Sequence, residues 1–386
     1  MDWIRNAIEQ ILPELVALRH DLHAHPELAF EEYRTAEVVA QWLQRWGIEV
    51  RTGIGKTGVV GTLRGEAGVG DIVGFRADMD ALPIEEANDL PYRSRNPGKM
   101  HACGHDGHTT ILLGAAAVLA QCRERVRGCV RFYFQPAEEG VSGARAMLAE
   151  GVLEEMPPSW VVALHGRPGL PAGCIALRAG AILASADTFD IWLKGRGGHA
   201  ALPHLTDDPI VAGAYLIQAL QTIASRESSA LDPVVLSVTQ FHAGNTYNVL
   251  PTVAHLTGTV RCLQEGTRGR VRERMAQMVE ATAQSWHLRG EFEWHDGVPP
   301  LCNDRAVTEM VARVATEAFG AESVQWLEHP LMGAEDFAYF ARAVPAAMFL
   351  LGLGDVADWH TACFDFNDDA IAPGVEMLVR LALQRT

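Results

Sequence analysis

The stretch 160-WVVALHG-166 runs five residues without a charge or a polar alternation and then breaks at a histidine. An apolar run of that kind fits a strand buried on both faces, and such strands belong to sheets covered by helices. Working outward, similar runs stand at 59-VVGTL-63, 72-IVGFRA-77, 129-CVRFYF-134 and 345-PAAMFLLGLG-354. Helical periodicity separates and flanks them over about 2–22, 32–46, 106–125, 141–150 and 368–384. The fold class expected is α/β, a helix-covered mixed sheet.

Polar residues return where these strands end. Asp78 and Asp80 follow Ala77, Glu138 and Glu139 follow Phe134, His165 follows Leu164, and His360 comes after the last strand. Ligands of open α/β sheets bind outside the carboxyl ends of the strands, so these side chains are expected at one edge. Cys103 and His105, just before a helix in 100-MHACGHDGH-108, join them. Thiolate, imidazole and carboxylate together form a donor set for zinc, manganese or cobalt. Each piece has a plainer reading: a chance CxH, glutamates complementing a helix dipole, a core histidine. A thiol beside histidines could instead be a nucleophile, but that chemistry needs one imidazole and has no use for paired carboxylates.

The pattern changes near Ala186. There 188-TFDIWLKG-195 and 290-GEFEWHD-296 alternate apolar with polar residues, as a sheet with one wet face does. Strands at 234–241 and 253–262 and helices near 208–226 and 268–285 complete an antiparallel α+β unit. The organisation expected is a discontinuous catalytic domain, 1–182 and 297–386, interrupted by an inserted domain at 183–296.

Composition narrows the function. A net charge of -16 and a pI near 5.4 argue against a nucleic-acid partner, which needs a basic face. The apolar run 111-ILLGAAAVLA-120 is half of the roughly 20 residues that cross a bilayer, so no membrane span is expected. The N-terminal segment spaces its apolar residues as an amphipathic helix and lacks a signal-peptide core. Seven scattered cysteines fit a reducing compartment, so a cytoplasmic location is expected.

The motifs 20-HDLHAHPELAFEE-32, 74-GFRADMDALPI-84, 101-HACGHDGHT-109, 133-YFQPAEEG-140, 195-GRGGHAALPH-204, 242-HAGNTYNVLP-251 and 333-GAEDFAYF-340 resemble, in order and over nearly the whole chain, the aminoacylase and carboxypeptidase family of dinuclear metallopeptidases. They are most similar to its branch of hippurate hydrolases, N-acyl-L-amino acid amidohydrolases and auxin-conjugate hydrolases. The resemblance implies two divalent metal ions per subunit, from among manganese, zinc, cobalt and nickel. It implies hydrolysis of the amide of a small N-acyl amino acid, and an inserted lid that mediates a homodimer or a tetramer. By position it makes Cys103, His105, Glu139, His165 and His360 metal ligands and Glu138 the general base. It likewise makes Asp80 the support of a ligand imidazole, His199 an oxyanion-stabilising lid residue acting on the neighbouring subunit, and Asn248 a substrate contact. The chain departs from the pattern at 164-LHGRPGLPAG-173, which lacks the His-Asn-Trp-Pro-Gly form common among hippurate hydrolases. A metallo-dipeptidase or carboxypeptidase of the same fold is the neighbouring alternative, and a non-catalytic metal- or ligand-binding protein the one from another class.

Other polar residues carry structural expectations. His101 and His108 support the loop or helix start, and Asp106 caps a helix at 107–125. His20, His23 and His25 are surface or structural; Glu335 and Asp336 cap a helix at 335–342 or border the pocket. His204, His242 and Arg261 are lid contacts or simply structural.

Overall fold

The computed structural model describes residues 2–384. These form two compact units. The larger comprises the residues up to Gly180, Cys302–His329, and those from Asp336 onward; the smaller comprises Ala181–Leu301 and Pro330–Glu335.

The larger unit is built on an eight-stranded mixed sheet. Its order is Glu49–Ile54, Gly58–Arg64, Cys129–Gln135, Ile72–Asp78, Trp160–Pro168, Ala346–Gly354, Ile175–Leu177, Val324–Trp326. The middle four, from Cys129–Gln135 to Ala346–Gly354, are mutually parallel, with Phe75 opposite Phe132 and Val162, and Leu350 opposite His165. Parallel neighbours deliver their carboxyl ends to one edge; four of the five apolar runs lie on these strands, and the fifth, at 59–63, on the antiparallel Gly58–Arg64 strand. The Cys129–Gln135 strand is buried at every residue.

Helix His105–Gln121 explains why the run 111-ILLGAAAVLA-120 has no polar face. It lies between the sheet and helices Asp2–Ala24 and Ile371–Ala382, buried from His105 to Leu119. A Cβ on Gly114 would come 2.7 Å from Val375 and 2.8 Å from Leu15, so the close approach there requires glycine.

Several elements differ from the sequence reading. Nothing was expected over 305–319, yet helix Arg305–Phe319 stands there, capped by Asp304, which accepts the Val307 N–H at 2.9 Å. Its signal is local: Val307, Val311, Val314, Ala315 and Ala318 recur at helical spacing and are buried. The helix expected over 335–342 begins only at Ala338, so neither Glu335 nor Asp336 caps it. Asp106 is no cap either, because the helix starts one residue before it, at His105, after a left-handed Gly104.

The smaller unit is a four-stranded antiparallel sheet, ordered Val234–Ala243, Val253–Cys262, Ala186–Lys194, Arg289–Val298. Phe189, Ile191 and Leu193 alternate inward and pack on Ala212, Leu216 and Leu220 of helix Pro209–Thr222 and on Met275 and Val279 of helix Glu265–Ser285. The first of these helices is signalled by Asp208, whose carboxylate accepts the Ile210 N–H, and by Pro209 at its first position. Residues 330–335 were expected in the catalytic part. They belong to this unit because Leu331 N–H donates to Ile182 and the Ala184 N–H to Gly333, strand-like pairing that ties the segment to 182–184. Among the described residues no helix is long and apolar enough to cross a membrane.

Candidate metal centre

The carboxyl edge of the parallel strands gathers donors from four segments. Cys103 Sγ lies 3.4 Å from His165 Nε2, and His360 Nε2 lies 3.3 Å from Glu139 Oε1. Cys103, His105 and His165 have donor atoms within 4.8 Å of one another; so do Cys103, Glu139 and His360, and so do His105, Glu138 and Glu139. Cys103 is common to the first two groups. The five expected ligands and the expected base therefore come together in one place.

Local structure explains how each is presented. Cys103 and His105 flank the left-handed Gly104 that starts the buried helix. Glu138 and Glu139 do not open a regular helix. They sit in a kinked turn between Ala137 (φ 51°) and Ser142 (φ 60°), with Glu139 itself non-helical. Such backbone persists only where its surroundings hold it. Here Glu32 does so, its buried carboxylate accepting the Ala137 N–H at 2.8 Å and the Thr57 hydroxyl at 2.5 Å. His360 is also left-handed, at φ 59°, and its backbone N–H donates to the Ala102 carbonyl, bringing it beside Cys103. Its side chain is 53% exposed, the most open of the five.

Asp80 serves two donors at once. Its Oδ1 is 3.3 Å from His105 Nδ1, and its Oδ2 accepts the Glu139 N–H at 2.9 Å. That leaves His105 Nε2 as the ring's second donor atom, buried and without a hydrogen bond among the described residues. His165 is set the same way, Nδ1 donating to the Gly166 carbonyl at 2.9 Å and Nε2 facing Cys103. A metal-binding imidazole needs this arrangement, one nitrogen held from behind and the other presented. Glu138 Oε1 accepts the Asp336 N–H at 3.3 Å.

The electrostatics fit a cation. Burial pushes the Cys103 thiol up and away from the thiolate, the reverse of what a free nucleophilic cysteine requires. Burial opposes ionisation of Glu139, but His360 and His105 outweigh it and hold the carboxyl down. Burial, with His108 and His105 acting in the same direction, pulls His165 down to about 3, keeping its ring a neutral donor. His360 is raised to about 10 by Cys103 and Glu139, charge that a divalent ion in the same position would displace. A buried imidazole nitrogen without a hydrogen bond among the described residues, a neutral imidazole, a carboxylate and a thiol, gathered in overlapping groups of three, are a donor set that a metal satisfies.

Four residues support the cluster in ways the sequence reading does not specify. Arg76 and Asp78, two apart on one face of their strand, form a buried ion pair at 2.7 Å; Arg76 also reaches Gln135 Oε1 at 2.8 Å and Asp336 Oδ1 at 3.1 Å. Burial opposes charge on Asp78, but His105, Arg76 and His108 hold its carboxyl well below the ordinary range. Asp336, left as a cap or pocket rim, is buried and also accepts the Ala144 N–H at 2.9 Å. His23 has its Nδ1 2.9 Å from Asp106, the residue after His105, and its Nε2 3.2 Å from Glu86, so it is structural and wholly buried. Period-two spacing was the available signal for Arg76 and Asp78; nothing local marks the others.

His199 and Asn248 lie in the smaller unit. His199 pairs with Val249 across a two-stranded ladder, Ala200 N–H donates to the Asn248 carbonyl at 3.0 Å, and the exposed His199 ring accepts the Ala201 N–H at Nδ1. His204 and His242 are exposed on the same unit, and Arg261 lies on its Val253–Cys262 strand.

The chain is similar to proteins of one family throughout. It is 38% identical over 374 residues to an N-acetylcysteine deacetylase of Bacillus subtilis, covering 96% of both chains. It is 38% identical over 382 residues to the hippurate hydrolase of Campylobacter jejuni, covering 98% of this chain and 99% of the other. A crystal structure of a Bacillus subtilis dinuclear metal-binding peptidase of the M20 family superposes with a TM-score of 0.86 at 34% identity, covering 97% of this chain and 98% of that one. The model of peptidase family M20/M25/M40 matches residues 74–384. With the carboxyl-edge donor cluster in place, the chain belongs to peptidase family M20/M25/M40.

Proposed function

We propose that the protein is a metal-dependent amidohydrolase that cleaves N-acyl-L-amino acids, hippurate-like or N-acetylated, to a carboxylic acid and a free amino acid. The observation that carries this is the juxtaposition of Glu138 with a five-donor cluster, its carboxylate within 4.8 Å of His105 and Glu139 donor atoms. A site that only stored metal would have no use for an extra carboxylate.

Cys103, His105, Glu139, His165 and His360 would hold two divalent ions, with manganese, zinc, cobalt and nickel as the candidates for this mixed donor set. When bound, such ions polarise an amide carbonyl and acidify water toward a pKa of ~7. Glu138 takes the proton of the attacking water and returns it to the departing amide nitrogen. Asp80 keeps His105 and the Glu139 backbone in position during that exchange. His199 is assigned to the developing oxyanion of the neighbouring subunit's site and Asn248 to the substrate. The partner is a second copy of the chain: Ile210, Val211 and Tyr215 are exposed on one helix, and Val235 is exposed on an edge strand of the same unit.

The test combines metal analysis with a panel of hippurate, N-acetyl amino acids and dipeptides, with and without chelator. Acylated substrates are expected to be cleaved and chelator to stop the reaction. Glu138→Gln should bind metal normally and lose about 10²–10⁴-fold in turnover. Near-parental turnover in that variant would overturn the assignment, and a preference for dipeptides would move the protein to the metallo-dipeptidase alternative.

A further inference from the structure

His108 is three residues past His105 on the same buried helix, so the two share a face, and their rings are 5.5 Å apart. Unlike His105, it has both nitrogens engaged. Nδ1 is 2.7 Å from Asp78 Oδ1, and Nε2 accepts the Gly166 N–H at 2.8 Å. The amide can only donate, so Nε2 carries the lone pair and Nδ1 carries the hydrogen given to Asp78. Asp78 is in turn paired with Arg76 at 2.7 Å. His108 therefore offers no donor to a metal.

Gly166, which His108 grips, is the residue after His165. Its carbonyl accepts two hydrogen bonds, one from His165 Nδ1 and one from Trp359 Nε1, each at 2.9 Å. Trp359 immediately precedes His360. One residue thus orients an imidazole on a central strand and braces the loop that carries another. A side chain there would crowd the packing, since a Cβ would come 2.9 Å from Leu353 and 3.2 Å from Phe366.

We propose that His108 is a positioning residue: locked in one tautomer between Asp78 and the Gly166 amide, it sets the Gly166 carbonyl that aims His165 and steadies Trp359 beside His360. This rests on the reading of His165 and His360 as metal ligands. The hydrogen-bond partners of metal ligands commonly govern affinity by about 10–100-fold.

Two substitutions separate the halves of the role. The amide of glutamine sits near the position of Nε2 and can still accept from Gly166; that of asparagine sits near Nδ1 and keeps only the link to Asp78. Purified protein, stripped of metal, is titrated with cobalt(II) while its visible absorption is recorded, which reports ligand geometry independently of turnover. His108→Gln is expected to stay close to the parent, whereas His108→Asn should bind cobalt about 10–100-fold more weakly with a shifted spectrum. Parental affinity and spectrum in His108→Asn, or equal damage in both variants, would overturn the proposal. Should His108→Asn not fold, Trp359→Phe removes the other bond to the same carbonyl: a weakened, spectrally altered site supports the hub and parental values reject it. A parent chain that takes up no cobalt would sink the metal reading itself and this role with it.

Discussion

His23 offers a quantitative test of how the metal loop is braced. Its buried imidazole lies between Asp106 and Glu86, with Arg19 3.5 Å from the same Asp106 oxygen. Burial opposes its protonation, but the hydrogen bonds to Asp106 and Glu86 prevail and lift it from 6.5 to about 9. The folded value lies above the unfolded one. Stability from the charged ring is therefore complete below about pH 6.5 and lost as the pH rises through about 9. At about 1.4 kcal/mol per pKa unit, the contribution is roughly 3 kcal/mol. Asp106 has the opposite sense: burial opposes its charge, the His23 hydrogen bond wins, and its stabilisation is present above the ordinary aspartate pKa and lost in acid. Denaturant unfolding of the metal-free protein and of His23→Gln, followed by tryptophan fluorescence from pH 6 to 10, isolates the term, because other titrations cancel in the difference. The stability gap should shrink by about 3 kcal/mol across that range. A gap that does not change with pH would mean that the ring is neutral when buried, and the reasoning would fail.

Other expectations concern the site and the surface. Asp80→Asn should weaken metal binding by about 10–100-fold in a competition with a fluorescent chelator, since it loosens both His105 and the Glu139 backbone. Arg76→Met deprives the buried Asp78 and Asp336 of their shared cation and should cost about 3–5 kcal/mol, seen as a lower unfolding midpoint or loss of soluble protein. Tyr215→Asp, on the exposed apolar face of helix Pro209–Thr222, should shift a dimer toward monomer in sedimentation while leaving the unit folded.

How much of this was legible follows from the range of each signal. The central strands were readable because burial on both faces removes polar residues from consecutive positions, as in Cys129–Gln135. The smaller unit was readable from the opposite pattern, alternation along Ala186–Lys194. The signal for helix Arg305–Phe319 is equally local, an aspartate cap followed by helical spacing. The kinked turn at Glu138 and Glu139 was not readable, since its left-handed Ala137 is held by Glu32, 105 residues away.

The sequence by itself determined the layering and put Cys103, His105, Glu139, His165 and His360 at strand and helix ends, because burial imposes periodicity on neighbouring residues. Within 101-HACGHDGH-108 it separated His105, by resemblance, from His101 and His108 as supports, but could not show the physical basis of the difference. Tertiary structure did so through what meets each nitrogen. His105, held by Asp80 at Nδ1, keeps Nε2 without a hydrogen bond among the described residues, and His108 spends both nitrogens on Asp78 and Gly166. His101 is buried with neither nitrogen bonded among the described residues, and burial holds it down to about 4. A hydrogen bond acts over about 3 Å and in one direction, so a histidine's role is fixed by distant segments that only the folded chain brings within reach.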